Sequence, residues 1–275
     1  MIPEHIVAQY EQDGAVCVRG LFSQAWLTLL AVGLERNLAE PGPHAKTYTE
    51  AGRPGFFFGD YCNWQRIPEY RQFAFESPAA DLAAAVMRST KVNFFHEHIL
   101  VKEPRTGERT PWHHDQPYWV VDGNQVCSIW LPLDPVPQDV CVEFIKGSHR
   151  WGKWFTPKRF ADHDDHPSLE GETIPDIDGN RNAYDMLRWD LEPGDCIVFH
   201  ALTVHGAPGN ASTMNRRRAV ATRWTGDDAR FTRREGLIWV MITFNPLSAA
   251  SGCAGSTRLA KRCNSCIAQA GVKWP

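Results

Sequence analysis

The chain has no long apolar run, no excess of charge of either sign and no cysteine framework, and each of these absences excludes a class of protein. Its most apolar short stretch, Leu237 to Phe244, is far too short to cross a bilayer as a helix. Thirty-two acidic residues against 29 basic ones give a net charge of -3, which offers no electrostatic reason to expect nucleic acid as a partner. The opening Met1-Ile2-Pro3-Glu4-His5 lacks a basic run followed by an apolar stretch, so no secretory signal is expected. Eight cysteines without the spacing of a small secreted domain read as reduced thiols, and a cytoplasmic location is the expectation. No internal repeat or low-complexity segment is visible. What remains is an ordinary globular composition, 22% charged and 43% hydrophobic, with an unusual eleven tryptophans. At 275 residues it is long enough to bury a sizeable core.

The first ninety residues read as helical. Ile6, Val7 and Tyr10 recur at helical spacing until Asp13-Gly14, and a short strand follows at Ala15–Val18. Ser23 is placed to cap a helix through Trp26, Leu27, Leu30 and Leu34. Pro41 to Gly59 reads as a loop reaching a pocket mouth, and Ser77-Pro78 as the start of another helix. From Lys91 the period changes to two. Lys91–Lys102 places Phe94, His96, His98, Leu100 and Lys102 on one face of a strand. Further strands are expected at Val126–Leu133, Cys141–Ile145, Leu187–Leu191, Cys196–His200 and Ala219–Trp224, with Glu192-Pro193-Gly194-Asp195 as a type II turn. Short strands without intervening helices indicate an antiparallel sandwich or barrel. Ala161–Asn182, rich in Asp, His, Pro and Gly, reads as a solvated acidic loop.

The stretch Pro111-Trp-His-His-Asp-Gln-Pro-Tyr-Trp119 carries the chemistry. In an extended segment His113 and Asp115 point to one face with Cα atoms roughly 6.5–7 Å apart, while His114 points the other way. Two histidines and a carboxylate on one side of a cation form the ligand set of non-haem Fe(II) oxygenases. A bare His-x-Asp does not define such a site. It needs a distant third ligand and an anchor for a co-substrate. His205, opening a Gly/Pro/Asn loop after a strand, supplies the ligand, with His200 as its competitor. Twelve residues on, Arg216-Arg217-Arg218 enters the next strand, and one inward guanidinium there could bind a dicarboxylate bidentately.

Thr110–Trp119, Val142-Glu-Phe-Ile-Lys-Gly-Ser-His149 and Gly194-Asp-Cys-Ile-Val-Phe-His together with His205-Gly-Ala-Pro-Gly-Asn210 resemble the phytanoyl-CoA dioxygenase family, most densely between Asn93 and Trp224. The resemblance implies a double-stranded β-helix (a jelly roll) with flanking helices, and a dioxygenase dependent on Fe(II), 2-oxoglutarate and O2. It implies His113, Asp115 and His205 as iron ligands, and Arg217 as partner of the distal carboxylate of 2-oxoglutarate, with Arg216 as the fallback. Trp130 and His98 fall where that family lines the co-substrate pocket. One oxygenase domain over 1–235 is expected, with a β core of about 91–225 and helices within 4–90. Residues 236–275 depart from the family's usual ending, and Cys263-Asn-Ser-Cys266 is read as incidental. Ala207 stands where some relatives carry a hydroxyl that touches the co-substrate. Related iron halogenases replace the carboxylate ligand by Gly or Ala, so Asp115 implies hydroxylation of a small-molecule or acyl substrate, releasing succinate and CO2. A non-catalytic binding protein, or a metal-dependent isomerase on a cupin-like scaffold, is the alternative.

Overall fold

The computed structural model describes residues 1–158 and 171–234, together with the backbone of Pro246–Ser248. Four helices precede the main β region: α1 (Glu4–Asp13), α2 (Gln24–Ala39), α3 (Pro68–Glu76) and α4 (Ala79–Val86). The strands are β1 (Ala15–Val18), β2 (Lys46–Thr47), β3 (Phe57–Tyr61), β4 (Lys91–Lys102), β5 (Thr110–His113), β6 (Val121–Asp122) and β7 (Val126–Pro132), then β8 (Glu143–Ile145), β9 (Met186–Leu187), β10 (Cys196–His200), β11 (His205–Ala207), β12 (Arg217–Thr225), β13 (Arg230–Phe231) and β14 (Pro246–Ser248).

Among the described residues the chain forms a double-stranded β-helix. A large antiparallel sheet runs in the order β1-β10-β7-β12-β4-β3-β2, with β14 also on β4, and a smaller sheet runs β5-β11-β8-β9. Between them Trp130, Ile197, Phe199, Ala219 and Ala221 of the large sheet pack with Phe144 of the small one. On the other face of the large sheet, Ile99, Val101, Ile129, Leu131, Val198 and Val220 meet Leu27, Leu30, Leu34, Phe73 and Leu82 of the helices. The alternation of these two sets along each strand is the two-residue period made physical.

Several local expectations change. Ser23 stands at the N-cap of α2 in extended conformation, but its side chain makes no capping bond. Pro78 sits one residue before α4 rather than inside it, and Ser77 Oγ accepts the Ala79 N–H at 3.3 Å. The segment 41–59 is not wholly loop, since it contains β2 and the start of β3, which extend the large sheet. Phe94 leaves the face of His96–Lys102. The ladder pairs Arg223 with His96 and Trp224 with Phe94, so β4 carries an extra residue, and this bulge turns Phe94 toward Trp224 on the helix side. Of the expected 187–191 strand only Leu187 joins a ladder, together with the preceding Met186, and Leu191 makes an isolated bridge to Val136. The turn at 192–195 forms as expected: Asp195 N–H donates to Glu192 O at 3.0 Å, and Gly194 takes φ +102°, which its missing Cβ permits. Cys263 and Cys266 lie outside the described residues, as does part of 161–182.

Candidate metal centre and co-substrate cavity

His113 ends β5, and the chain then turns sharply. Asp115 has φ -71° and ψ -41°, helical rather than extended, and opens the single 3-10 turn Gln116–Tyr118 that Pro117 favours. The simple strand geometry expected for His-x-Asp is therefore replaced by a strand end plus a turn, which still brings both side chains to one point. His205 likewise differs from its expected place. It does not open a loop but begins the central strand β11, paired with His113 on one side and Phe144 on the other. This cross-strand register, spanning 92 residues of sequence, is what unites the two imidazoles, whose centroids are 4.2 Å apart.

One ligand atom from each of His113, Asp115 and His205 lies within 4.8 Å of the others, and all three residues are buried. Asp115 Oδ1 stands 3.6 Å from His113 Nε2 and 3.9 Å from His205 Nε2, too far for hydrogen bonds yet convergent on one small volume. The other ring nitrogens are already engaged. His113 Nδ1 lies 2.7 Å from Pro111 O and His205 Nδ1 2.9 Å from Thr203 O. A carbonyl can only accept, so each Nδ1 carries the proton and each Nε2 presents a lone pair inward. Asp115 is oriented in the same way: Ser128 Oγ donates to Oδ2 at 2.8 Å and Arg223 Nε sits 3.4 Å from Oδ2, leaving Oδ1 for the shared point. Burial raises the pKa of Asp115, but Arg223 and the two imidazoles outweigh it and hold the carboxyl well below the usual range. Burial and the neighbouring His113 push the His205 imidazole down to about 3, so it is neutral at ordinary pH.

His114 and His200 are elsewhere. His114 Nε2 accepts the Phe155 N–H at 2.9 Å, and His200 Nδ1 accepts the Leu202 N–H at 3.0 Å with its Nε2 at 2.8 Å from Asn124 O. Both rings are thus satisfied by backbone groups away from the convergent point.

A cavity of about 60 Å³ opens beside His113, Asp115 and His205. Since one water needs roughly 10–15 Å³ on this measure, it has room for a small diacid's worth of solvent. Trp130, His98 and Arg217 all line it, as does Ala207. Arg217 is 6% exposed, donates to Val140 O and to Pro208 O, and has its pKa pushed down to about 10 by burial. Among the described residues no carboxylate lies within ion-pair distance of it. Arg216 points outward instead, to Glu35 at 3.0 Å and Glu103 at 2.5 Å. His98 contributes a buried Nε2 without a hydrogen-bond partner. Gly206 also belongs to the wall, and a Cβ there would stand 3.1 Å from the Trp112 ring.

Two further cations of the cavity were missed by motif reasoning. Lys102, directly opposite Arg217 in the ladder, is 1% exposed, stacks 4.3 Å over the Phe57 ring and donates to Glu108 O and Pro208 O. Arg223 is the second. Strand period alone could have found it, because Arg217, Ala219, Ala221 and Arg223 must share a face of β12.

The sequence profile of the phytanoyl-CoA dioxygenase family (PhyH) matches residues 10–219. The chain belongs to the phytanoyl-CoA dioxygenase family. Among its relatives, a probable phytanoyl-CoA dioxygenase of Caenorhabditis elegans is 23% identical over 183 residues, covering 64% of this chain and 54% of the relative. The chain thus spans about half the length of that phytanoyl-CoA dioxygenase. Two solved structures share the fold. The epimerase SnoN, crystallised with Fe3+, alpha ketoglutarate and nogalamycin RO, is 21% identical with a TM-score of 0.67, covering 84% of this chain and 86% of its own. The alpha ketoglutarate-dependent carbocyclase SnoK of nogalamycin biosynthesis is 22% identical with a TM-score of 0.68, covering 86% and 88%. No described helix is long and apolar enough to cross a membrane.

Proposed function

We propose that this chain is an Fe(II)- and 2-oxoglutarate-dependent oxygenase acting on a small-molecule or acyl substrate, with His113, Asp115 and His205 as the metal ligands. The observation that carries this reading is the pair of inward Nε2 lone pairs and one free carboxylate oxygen converging beside a buried, acid-free arginine. The donor set suits iron. Two imidazoles and one carboxylate, all on one side, would hold the ion and leave positions for co-substrate and O2. When bound there, iron and 2-oxoglutarate supply the oxidising power for a substrate C–H bond, with O2 consumed and succinate and CO2 released.

The residues around the site have definite roles in this reading. The carbonyls of Pro111 and Thr203 fix the tautomers, and Ser128 and Arg223 fix the carboxylate. Arg217 binds the distal carboxylate of 2-oxoglutarate between Trp130 and His98. Substrate would be met by the segment carrying His44, Tyr48, Phe57 and Tyr61, where Tyr61 stacks on His44 at 4.6 Å and meets His98 edge-on at 5.6 Å. Asp115 keeps the coordination position that a halide would need, so hydroxylation is the proposed outcome.

Metal titration of the purified chain tests the ligand set. One Fe(II) or Mn(II) should bind per chain, His113→Ala and His205→Ala should lose most of the affinity, and His114→Ala and His200→Ala should keep it. Equal loss in all four variants would remove the assignment.

A further inference from the structure

Arg223 is a buried cation of the cavity whose hydrogen bonding is incomplete. It is 5% exposed, and its Nε and Nη1 are buried with no hydrogen-bond partner among the described residues. The Nε–Oδ2 distance of 3.4 Å to Asp115 is an ion-pair contact without a hydrogen bond, and the guanidinium carbon lies 5.6 Å over the Trp119 ring. Buried donors without acceptors are rare in folded proteins, so such a group points to a partner that arrives with a ligand. Its placement narrows the partner. Ser128 and His96 stand opposite it on β7 and β4, and burial, reinforced by Arg223 itself, keeps His96 uncharged. Neither supplies an anion. Along β12, Arg217, Ala219 and Arg223 line the cavity, and the small Ala219 and Ala221 lie on the same strand face between Arg223 at the metal-ligand end and Arg217 at the other.

A 2-oxo acid that chelates a metal uses its ketone oxygen and one oxygen of the adjacent carboxylate. The second oxygen of that carboxylate stays free, and in a buried site it needs a donor. We propose that Arg223 donates to this oxygen, so that two arginines on one strand face, Arg217 and Arg223, hold the two ends of 2-oxoglutarate. The inference rests on the reading of the cavity given under the proposed function. It makes Arg223 a binding residue for the metal-end carboxylate, in addition to a support for Asp115.

Calorimetric titration of the Mn(II)-loaded protein with 2-oxoglutarate and with 2-oxovalerate, which has a methyl in place of the distal carboxylate, separates the two ends. Arg223→Met should weaken both acids by the same factor, about 10- to 150-fold for a lost bond to a charged group, measured at Mn(II) concentrations that saturate the variant's own metal site, since Arg223 also supports Asp115. Arg223→Lys should recover part of the loss. Arg217→Met should weaken 2-oxoglutarate alone, bringing it to the level of 2-oxovalerate. Unchanged binding of both acids by Arg223→Met overturns the proposal, and so does a loss that merely follows lost Mn(II). If the Arg217 variant does not separate the two acids, the reading of the cavity fails rather than the role of Arg223. If the unaltered protein binds neither acid, both fall.

Discussion

Replacing Arg217 by Met is the most quantitative test of the co-substrate end of the cavity. The structure fixes what is lost. Arg217 is 6% exposed, its only described hydrogen-bond partners are the carbonyls of Val140 and Pro208, and no acid neutralises it among the described residues. Its charge is therefore matched only when an anion enters. Removing one member of a buried, hydrogen-bonded charge pair costs about 2–5 kcal/mol, or roughly 30- to several-thousand-fold in affinity. The neighbouring Arg216 is the internal control. Its partners Glu35 and Glu103 are partly exposed, and such pairs contribute about 0–1 kcal/mol. Anaerobic titration of the metal-loaded protein with 2-oxoglutarate should show Arg217→Met weakened by at least about 30-fold and Arg216→Met by no more than about fivefold. The same samples need a thermal melt, because losing the guanidinium also strands two carbonyl acceptors, at about 1–3 kcal/mol of stability each. A folded Arg217→Met protein with unchanged 2-oxoglutarate affinity would refute the argument, and a large effect confined to Arg216→Met would show that the register is off by one.

Other consequences are equally concrete. Ser128→Ala removes the 2.8 Å bond to Asp115 Oδ2 and should lower metal affinity about 10–100-fold, measured by Mn(II) titration, while 2-oxoglutarate affinity at saturating metal is retained. His200 is pushed down to about 4, first by burial and then by the nearby His149, so its folded pKa lies below the unfolded value near 6.5. Its share of stability is present above pH 6.5 and is lost as pH falls toward 4, by up to about 3 kcal/mol. Urea unfolding of His200→Gln across that window should show a flatter dependence than the unaltered chain, and an identical slope would contradict the shift. Once a substrate is in hand, turnover in excess chloride should give products free of chlorine with one oxygen from O2. A chlorinated product would overturn the role given to Asp115.

The sequence made the chemistry easier to see than the geometry that delivers it. Period-two patterning from Lys91 onward revealed the strands of the large sheet, because they bury one face against helices and the other against the core between the two sheets. It could not reveal the bulge that turns Phe94 away from His96, since a bulge is set by pairing with β12 and not by local residue choice. His113, Asp115 and His205 were visible as types at a spacing. Their meeting depends on a cross-strand pair and a helical Asp115, both tertiary facts. Arg217 could be chosen over Arg216 only by motif, whereas the structure separates them by face, one into the cavity and one onto acids outside. Lys102 and Arg223 belong to no motif used; strand period already puts Arg223 on the face of Arg217, and burial beside the cavity then singles out both cations.

One metal ion and one 2-oxo acid are expected to meet at His113, Asp115 and His205. Anaerobic addition of Fe(II) and then 2-oxoglutarate to the purified chain should produce the broad visible metal-to-ligand charge-transfer absorption of a chelated 2-oxo acid, at one equivalent of each. The band should be absent from His205→Ala and retained in His200→Ala. A chain that binds Fe(II) but shows no such band with 2-oxoglutarate, or shows it undiminished in His205→Ala, would contradict the central claim.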